Sequence, residues 1–266
     1  MNSSPQEQHK ASFLGLDFDI MEEAEAAETV FSLSGQDKFT YVVTPNVDHR
    51  VRLHRLQGDA RLWSSYRRAT LVLCDSRILK RLAHLSGVRL ELVTGSDLTA
   101  RILSTPQNFE TAAVVGGDEH LLASLRTRYP KTKWLHHAAP HGILHDARAQ
   151  MDIVRFVERS SAGLVFFAVG SPQSELVCEL IDDRGKAAGV ALCIGASLEF
   201  LTGAKKRAPR WMQRLGLEWL FRLASEPKRL WRRYLVDGPV IFWLWWRWHL
   251  NSSRSPDASC STSSDE

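Results

Sequence analysis

The chain has 266 residues, 44% of them apolar, and a formal net charge of +4. That is enough for one real hydrophobic core, alone or with an appendage, and the modest charge excludes a globally basic surface. The cations are concentrated locally: between Lys205 and Tyr234 ten Lys or Arg stand against two acids, Glu218 and Glu226.

Residues 1–12 are polar and are expected to fray. No apolar run there has the form of a secretory signal, so no leader is expected. Next comes FLGLDFDI, an alternating stretch read as a surface edge element. Its Asp17 and Asp19 form a DxD pair, which could bind a divalent metal beside a nucleotide diphosphate; the edge reading is preferred.

From here short apolar runs alternate with longer amphipathic ones. Strands are predicted at 39–43, 70–74, 111–115, 132–136, 163–169 and 189–193. Several are continuous in apolar residues, as buried parallel strands are. Helices are predicted at about 46–60, 76–86, 97–106, 118–128, 146–160 and 173–184. The alternation implies an α/β fold, a parallel sheet sandwiched by helices, spanning 13–204.

Ligands of such sheets bind beyond the strand carboxyl ends. The turns there are polar and rich in Gly: TPNVDH from Thr44, Asp75-Ser76-Arg77, Gly116-Gly117-Asp118, Gly170-Ser171-Pro172-Gln173-Ser174-Glu175 and Gly195-Ala196-Ser197. Turns of this kind offer backbone N–H groups to phosphate, and together they favour a nucleotide-containing ligand. Gly116-Gly117 is no dinucleotide fingerprint, which leaves an oxidoreductase reading without support.

Asp75 closes an apolar strand and is open to two readings, a general base or a helix N-cap. Arg77 is either a phosphate ligand or a solvated helix charge. In Thr94-Gly95-Ser96-Asp97, Ser96 or Asp97 is the expected cap. Glu175, in a first helical turn, either complements the helix dipole or holds a sugar hydroxyl. His136, His137, His141 and His145 raise zinc, but Pro140 and Gly142 break the spacing and no Cys is near. Four cysteines without a CxxC pair fit a reducing compartment; Cys74, Cys178 and Cys193 read as small buried hydrophobes.

Residues 205–250 hold seven of the nine tryptophans. Arg207, Arg210, Arg214, Glu218 and Arg222 follow at helical steps on one face, with Trp211, Met212, Leu215, Trp219, Leu220 and Leu223 on another. Glu218 is four residues from both Arg214 and Arg222, an i,i+4 arrangement. Pro239–Trp246 is too short to span a bilayer and is the expected contact with lipid. Cations mixed with indoles suit an anionic membrane interface. RNA binding is the weaker reading, since no RNA-binding motif accompanies them, and nucleic acid is not an expected partner. The Ser-rich stretch 251–266 is expected to be disordered.

Taken together, TPNVDH, the strand-end CDS, VTGSDL, GSPQSE and the long GASLEFLTGAKKRAPRWMQRLGLEWLFRLASEPKRLWRRY resemble the WecG/TagA/CpsF family of bacterial glycosyltransferases. The resemblance runs from about Phe39 to Tyr234. It implies a Rossmann-like core with a C-terminal helical, membrane-binding appendage. It implies an inverting enzyme without a metal cofactor, moving a sugar from a UDP-sugar to a polyprenyl-diphosphate-linked saccharide in cell-wall, capsule or exopolysaccharide synthesis. The setting implied is the inner face of the cytoplasmic membrane. Residue by residue, Asp75 matches the family's base, and Thr44 and Asn46 match the first-strand motif that lines the substrate pocket. Gly95, Ser96 and Asp97 match the TGSD turn, and Gly170 and Glu175 lie in the turn that carries the family's acid. Arg207, Arg214, Arg222 and Arg229 fall in the part thought to close over the active site. The chain departs from the family at Ser76, Leu92 and Ser174. Those departures leave a second expectation open, a binding homologue that kept the fold and altered the chemistry. Arg77 is the expected replacement for a cation the family has at position 92.

Overall fold

A computed structural model describes residues 10–105, 109–140 and 142–252. The outer parts of the stretches expected to be disordered, and His141 of the histidine cluster, lie outside the described residues.

The chain opens with a small antiparallel pair, β1 (Lys10–Phe13) and β2 (Leu16–Asp19). β1 thus begins inside the stretch expected to fray. Phe13 and Phe18 are buried and anchor the pair to the core. Asp19 is buried as well, accepting from the Val72 backbone N–H at 2.8 Å and pairing with Lys10 at 3.3 Å. The surface expectation is therefore corrected for Asp19: its buried carboxylate extends the hydrogen bonding of Leu71–Val72, the edge strand of the main sheet, while Asp17 is exposed.

Helix α1 (Glu23–Ser34) follows, then β3 (Thr40–Val43), α2 (Val47–Arg55), α3 (Ala60–Arg67), β4 (Leu71–Val72), α4 (Arg77–Leu85) and α5 (Gly95–Ser104). The second half runs β5 (Thr111–Val115), α6 (Glu119–Arg128), β6 (Lys133–His137), a 3-10 turn, α7 (Ala147–Ser160), β7 (Leu164–Phe167), α8 (Gln173–Arg184), β8 (Val190–Cys193) and α9 (Ser197–Thr202). The six predicted strands are present and form one parallel sheet in the order β4-β3-β8-β7-β5-β6. The helix predicted at 46–60 ends at Arg55; the chain turns around Gly58, and Asp59 caps α3, which had no predicted counterpart, through the Leu62 N–H. α1 had no predicted counterpart; its buried face is Ala26, Ala27, Val30 and Leu33.

Strand alternation explains the three layers. Tyr41 and Val43 of β3, and Val165 and Phe167 of β7, point into a core under α7, α8 and the first strand pair. Val42, Leu164 and Phe166 point into a second core under α1, α5 and α6.

Beyond residue 205 the chain forms short helices: α10 (Arg210–Leu215), α11 (Glu218–Ser225), α12 (Pro227–Trp231), a π-helical stretch (Arg232–Asp237) and α13 (Val240–Ser252). The single charged helical face expected here does not exist. Gly216 sits at φ 76°, a left-handed conformation that ends α10, and Pro227 starts α12. α13 is half-buried: Ile241 and Leu244 are in the core, Trp248 meets the edge of Phe13 at 5.1 Å, and Trp245 donates to Ser86 Oγ at 2.8 Å. Its opposite face exposes Phe242, Trp243, Trp246 and Leu250. The expectation that Pro239–Trp246 meets lipid thus applies to half of its side chains. No helix among the described residues is long and apolar enough to cross a membrane.

Candidate active site

Between the carboxyl ends of β3 and β4 and the C-terminal helices lies a cavity of about 390 Å³. The strand-end turns supply Asn46, Asp48, Asp75, Ser76, Arg77 and Thr94 to its lining, and the C-terminal part supplies Arg207, Glu218, Trp219, Arg222, Arg233, Tyr234, Asp237 and an apolar wall.

Local chemistry fixes the first wall. Ser76, not Asp75, caps α4: its hydroxyl accepts from the Leu79 N–H at 3.2 Å. The Asp75 side chain is thereby released from the capping role it might have filled. Burial pushes its pKa up to about 7; Glu218 and Asp97 add to the rise, and Arg222 and a hydrogen bond from the Gly95 backbone oppose it. A carboxylate at that value accepts a proton readily near neutral pH.

Gly95 approaches closely for a steric reason. A Cβ there would lie 3.2 Å from Thr44 Oγ1 and 3.3 Å from Ser197 Oγ. Thr44 is buried and donates to the Cys193 carbonyl, and Ser96 Oγ lies 3.3 Å from Ser197 Oγ. Thr94 caps α5 by accepting from the Asp97 N–H, so the cap expected of Ser96 or Asp97 belongs to Thr94. Asp97 instead receives two hydrogen bonds from the Arg207 guanidinium, at 2.6 and 3.1 Å, and one from Thr94 Oγ1. Burial works against its charge, but Arg207 and Thr94 outweigh it and hold the carboxyl below the usual range.

Asn46 lines the cavity while its side-chain oxygen caps α2 through the Asp48 and His49 N–H groups. Behind α2 sits a buried polar cluster. Glu175 accepts from Tyr66 Oη at 3.3 Å and from Ser174 Oγ at 2.9 Å, Arg52 donates to the Ser171 carbonyl, and burial pushes His49 down to about 4. Glu175 is thus more than a dipole partner in a first turn, yet neither it nor Gly170 reaches the cavity lining.

The C-terminal arginines divide. Arg207 and Arg222 line the cavity; Arg222 pairs with Glu218 at 2.7 Å and stacks over Phe200 at 5.0 Å. Arg214 and Arg229 stand outside it. The Arg214 carbonyl accepts from Arg81, and the Arg229 side chain pairs with Glu226 at 2.6 Å. The two-sided pairing of Glu218 is reduced to one, since Gly216 turns Arg214 away. Sequence reasoning missed Asp48, Arg233, Tyr234 and Asp237. Asp48 accepts from Arg52 and from Arg233, and Asp237 pairs with Arg55 at 2.6 Å, so these groups tie the C-terminal helices to α2. The only signal for them was their closeness to TPNVDH and to the basic segment.

Counting these pairs isolates two residues. Asp48, Arg207, Glu218, Arg222, Arg233 and Asp237 each have an ion-pair partner. Asp75 and Arg77 are the charged lining residues without one among the described residues. A carboxylate with its pKa pushed up to about 7, in one lining with a guanidinium that makes no ion pair, can take a proton while the cation holds an anion. No three His, Cys, Asp or Glu side chains come together as a metal site among the described residues. His136 is bonded to the Gly116 carbonyl and His137 packs on Phe156.

A parallel α/β sheet with such a cavity over its strand carboxyl ends has a ligand site where folds of this kind hold one. The family model described as glycosyl transferase, WecG/TagA/CpsF family, matches residues 11–255. The chain belongs to that family, and its broad role is sugar transfer in polysaccharide synthesis.

Proposed function

We propose that the protein is an inverting glycosyltransferase that moves a sugar from a UDP-sugar to a polyprenyl-diphosphate-linked saccharide, without a metal, on the cytoplasmic face of the membrane. The observation that carries this reading is the presence in one cavity lining of Asp75, its pKa pushed up to about 7, and Arg77, a cation that makes no ion pair among the described residues.

In this mechanism Asp75 removes the proton from an acceptor sugar hydroxyl. The oxygen attacks the anomeric carbon from the face opposite UDP, the new C–O bond forms, and the bond to the UDP phosphate oxygen breaks. The proton rests on Asp75 and the electron pair leaves with UDP. That leaving group is a dianion-like diphosphate, and a preorganised cationic, partly dry cavity stabilises it best. Arg77 is the side chain placed to do so, with Arg207 and Arg222 as fixed charges nearby. The amino end of α5 adds the positive end of a helix dipole, while the Gly95 N–H stays on Asp75.

Membrane attachment belongs to the same reading. Of the twelve large apolar residues exposed among those described, ten lie beyond residue 205, among them Trp211, Trp231, Trp243 and Trp246. Basic side chains at an anionic lipid surface add about 1 kcal/mol each.

The experiment is a transfer assay with radiolabelled UDP-sugars and a polyprenyl-diphosphate saccharide carried in vesicles, with analysis of the product anomer. Label transferred with inversion, and lost in Asp75→Asn, is the expected result. UDP-sugar binding without transfer would instead support a homologue that kept the fold and lost the chemistry.

A further inference from the structure

The cavity lining changes character with the element that supplies it. The strand-end turns bring Asp75, Arg77, Asn46 and Thr94, whereas the π-helical stretch and the start of α13 bring Leu235, Pro239, Ile241 and Phe242. Ile241 is buried, at 1% exposure. Leu235 and Phe242 are different: both line the cavity, yet 55% and 52% of their surface remains open. A side chain that does both stands where cavity and surface meet. Leu235 and Phe242 thus mark the boundary of the cavity with the outer surface of the last helices. Its neighbours on that surface are Val236 and Trp243, each about half exposed at 49% and 47%.

A boundary of hydrocarbon is a poor entrance for a water-borne sugar nucleotide, which would leave its hydration at an apolar rim. It is a suitable exit for an alkyl or prenyl chain whose anionic head stays inside. The charge of the cavity fits that orientation, because Arg77 is the lining cation that makes no ion pair among the described residues, although its charge helps hold the Asp97 carboxyl down. The outer face continues the same chemistry, as exposed indoles interspersed with arginines suit the lipid interface.

We propose that Leu235 and Phe242 form a lateral portal, through which an amphiphile bound by its diphosphate near Arg77 passes its hydrocarbon chain out to the bilayer. This rests on the function proposed above for the class of acceptor, and it assigns that acceptor a subsite and a direction of entry. It also separates two roles within the C-terminal helices. Leu235 and Phe242 grip the chain of the bound molecule, while Trp211, Trp231 and Trp246 lie outside the cavity and hold the protein to lipid.

The test is binding of two soluble probes to the full chain, farnesyl diphosphate below its micellar concentration and inorganic diphosphate. The wild type is expected to prefer the farnesyl probe by roughly tenfold or more, the effect of burying two or three methylene groups. Leu235→Ser/Phe242→Ser is expected to lose that preference while binding inorganic diphosphate as before, which also reports that it is folded. Trp246→Ser is expected to keep the preference. Equal affinity of the wild type for the two probes would overturn the portal, as would a double variant that keeps the preference. The catalytic reading is judged separately. A farnesyl preference without sugar transfer leaves the portal standing and removes the mechanism, whereas transfer without any preference removes the portal alone.

Discussion

The sheet layer and the C-terminal helices solve opposite problems with similar residues. In the sheet, β3, β7 and β8 are buried throughout, and Val165, Phe166, Phe167, Val190, Ala191 and Leu192 have no exposed surface. In the C-terminal helices the apolar residues are split. Leu230, Ile241 and Leu244 are buried, and Trp211, Leu215, Trp231 and Leu235 are more than half exposed. A soluble surface rarely carries that much contiguous hydrocarbon without a partner. The joint between the two regions is both apolar and ionic: Ile241 and Leu244 enter the core, and Arg207 pairs with Asp97, Arg233 with Asp48 and Arg55 with Asp237. The difference teaches that the site is made by apposition. The sheet contributes Asp75, the proposed base, at a strand end, and the helices contribute charge and the apolar side of the proposed portal.

The sharpest way to break that division is at Asp75. Asp75→Asn is expected to lower turnover by about 10²–10⁴-fold, the usual contribution of a general base. In the wild type kcat/KM should rise with pH along an acid limb near pH 7, because the base must be ionised and burial has pushed its pKa there. Stability should move the opposite way. The folded state favours the protonated carboxyl, so Asp75's contribution is intact below about pH 4 and is lost as pH rises through about 7. Asp75→Asn should therefore melt higher than the wild type at pH 8, with the gap closing toward pH 4. A variant that is inactive but equally stable at every pH would place Asp75 outside the buried role described.

The joint itself is tested next. Leu244→Ala removes a buried side chain that fastens α13 to the core and is expected to cost about 2–4 kcal/mol in denaturant unfolding. Trp246→Ala, on the exposed face of the same helix, is expected to change stability by less than about 0.5 kcal/mol but to weaken sedimentation with vesicles. If both changes were equally destabilising, α13 would be an ordinary core helix and the division within it would disappear.

The two regions were unequally legible in the sequence. The six strands, and the helices that follow them closely in length, are visible because continuous Val, Leu, Ile and Phe runs end at Gly-rich or Asp-rich turns. α1 escaped because half of its buried face is alanine, Ala26 and Ala27, beside Val30 and Leu33. In the site, Asp75 and Arg77 were legible from their place at a strand end, but choosing the base over the cap required seeing Ser76 cap α4. Helical spacing failed beyond Lys205. It projects Arg214 and Arg222 onto one face, and a single left-handed residue, Gly216, separates them. Asp48 and Arg233 lie inside TPNVDH and the basic segment, but their pairing with each other, and that of Asp237 with Arg55, gave no signal because ion pairs across a joint have no sequence period.

The smallest effect is expected at Arg229, and it discriminates between two uses of the same cation. Its partner is Glu226 and its side chain is 63% exposed, so the pair adds little to folding. The expectation from family resemblance put Arg229 with the arginines that close over the active site, whereas the structure sets it outside the cavity. If it serves the lipid surface, Arg229→Ala should weaken binding to anionic vesicles by roughly fivefold, about 1 kcal/mol, and the difference should fade as salt is raised. Its kcat on a soluble, short-chain acceptor should stay at the wild-type value. A fall in that kcat with unchanged vesicle binding would mean that α12 moves inward when substrate binds, and Arg229 would then belong with Arg207 and Arg222 rather than with the exposed indoles.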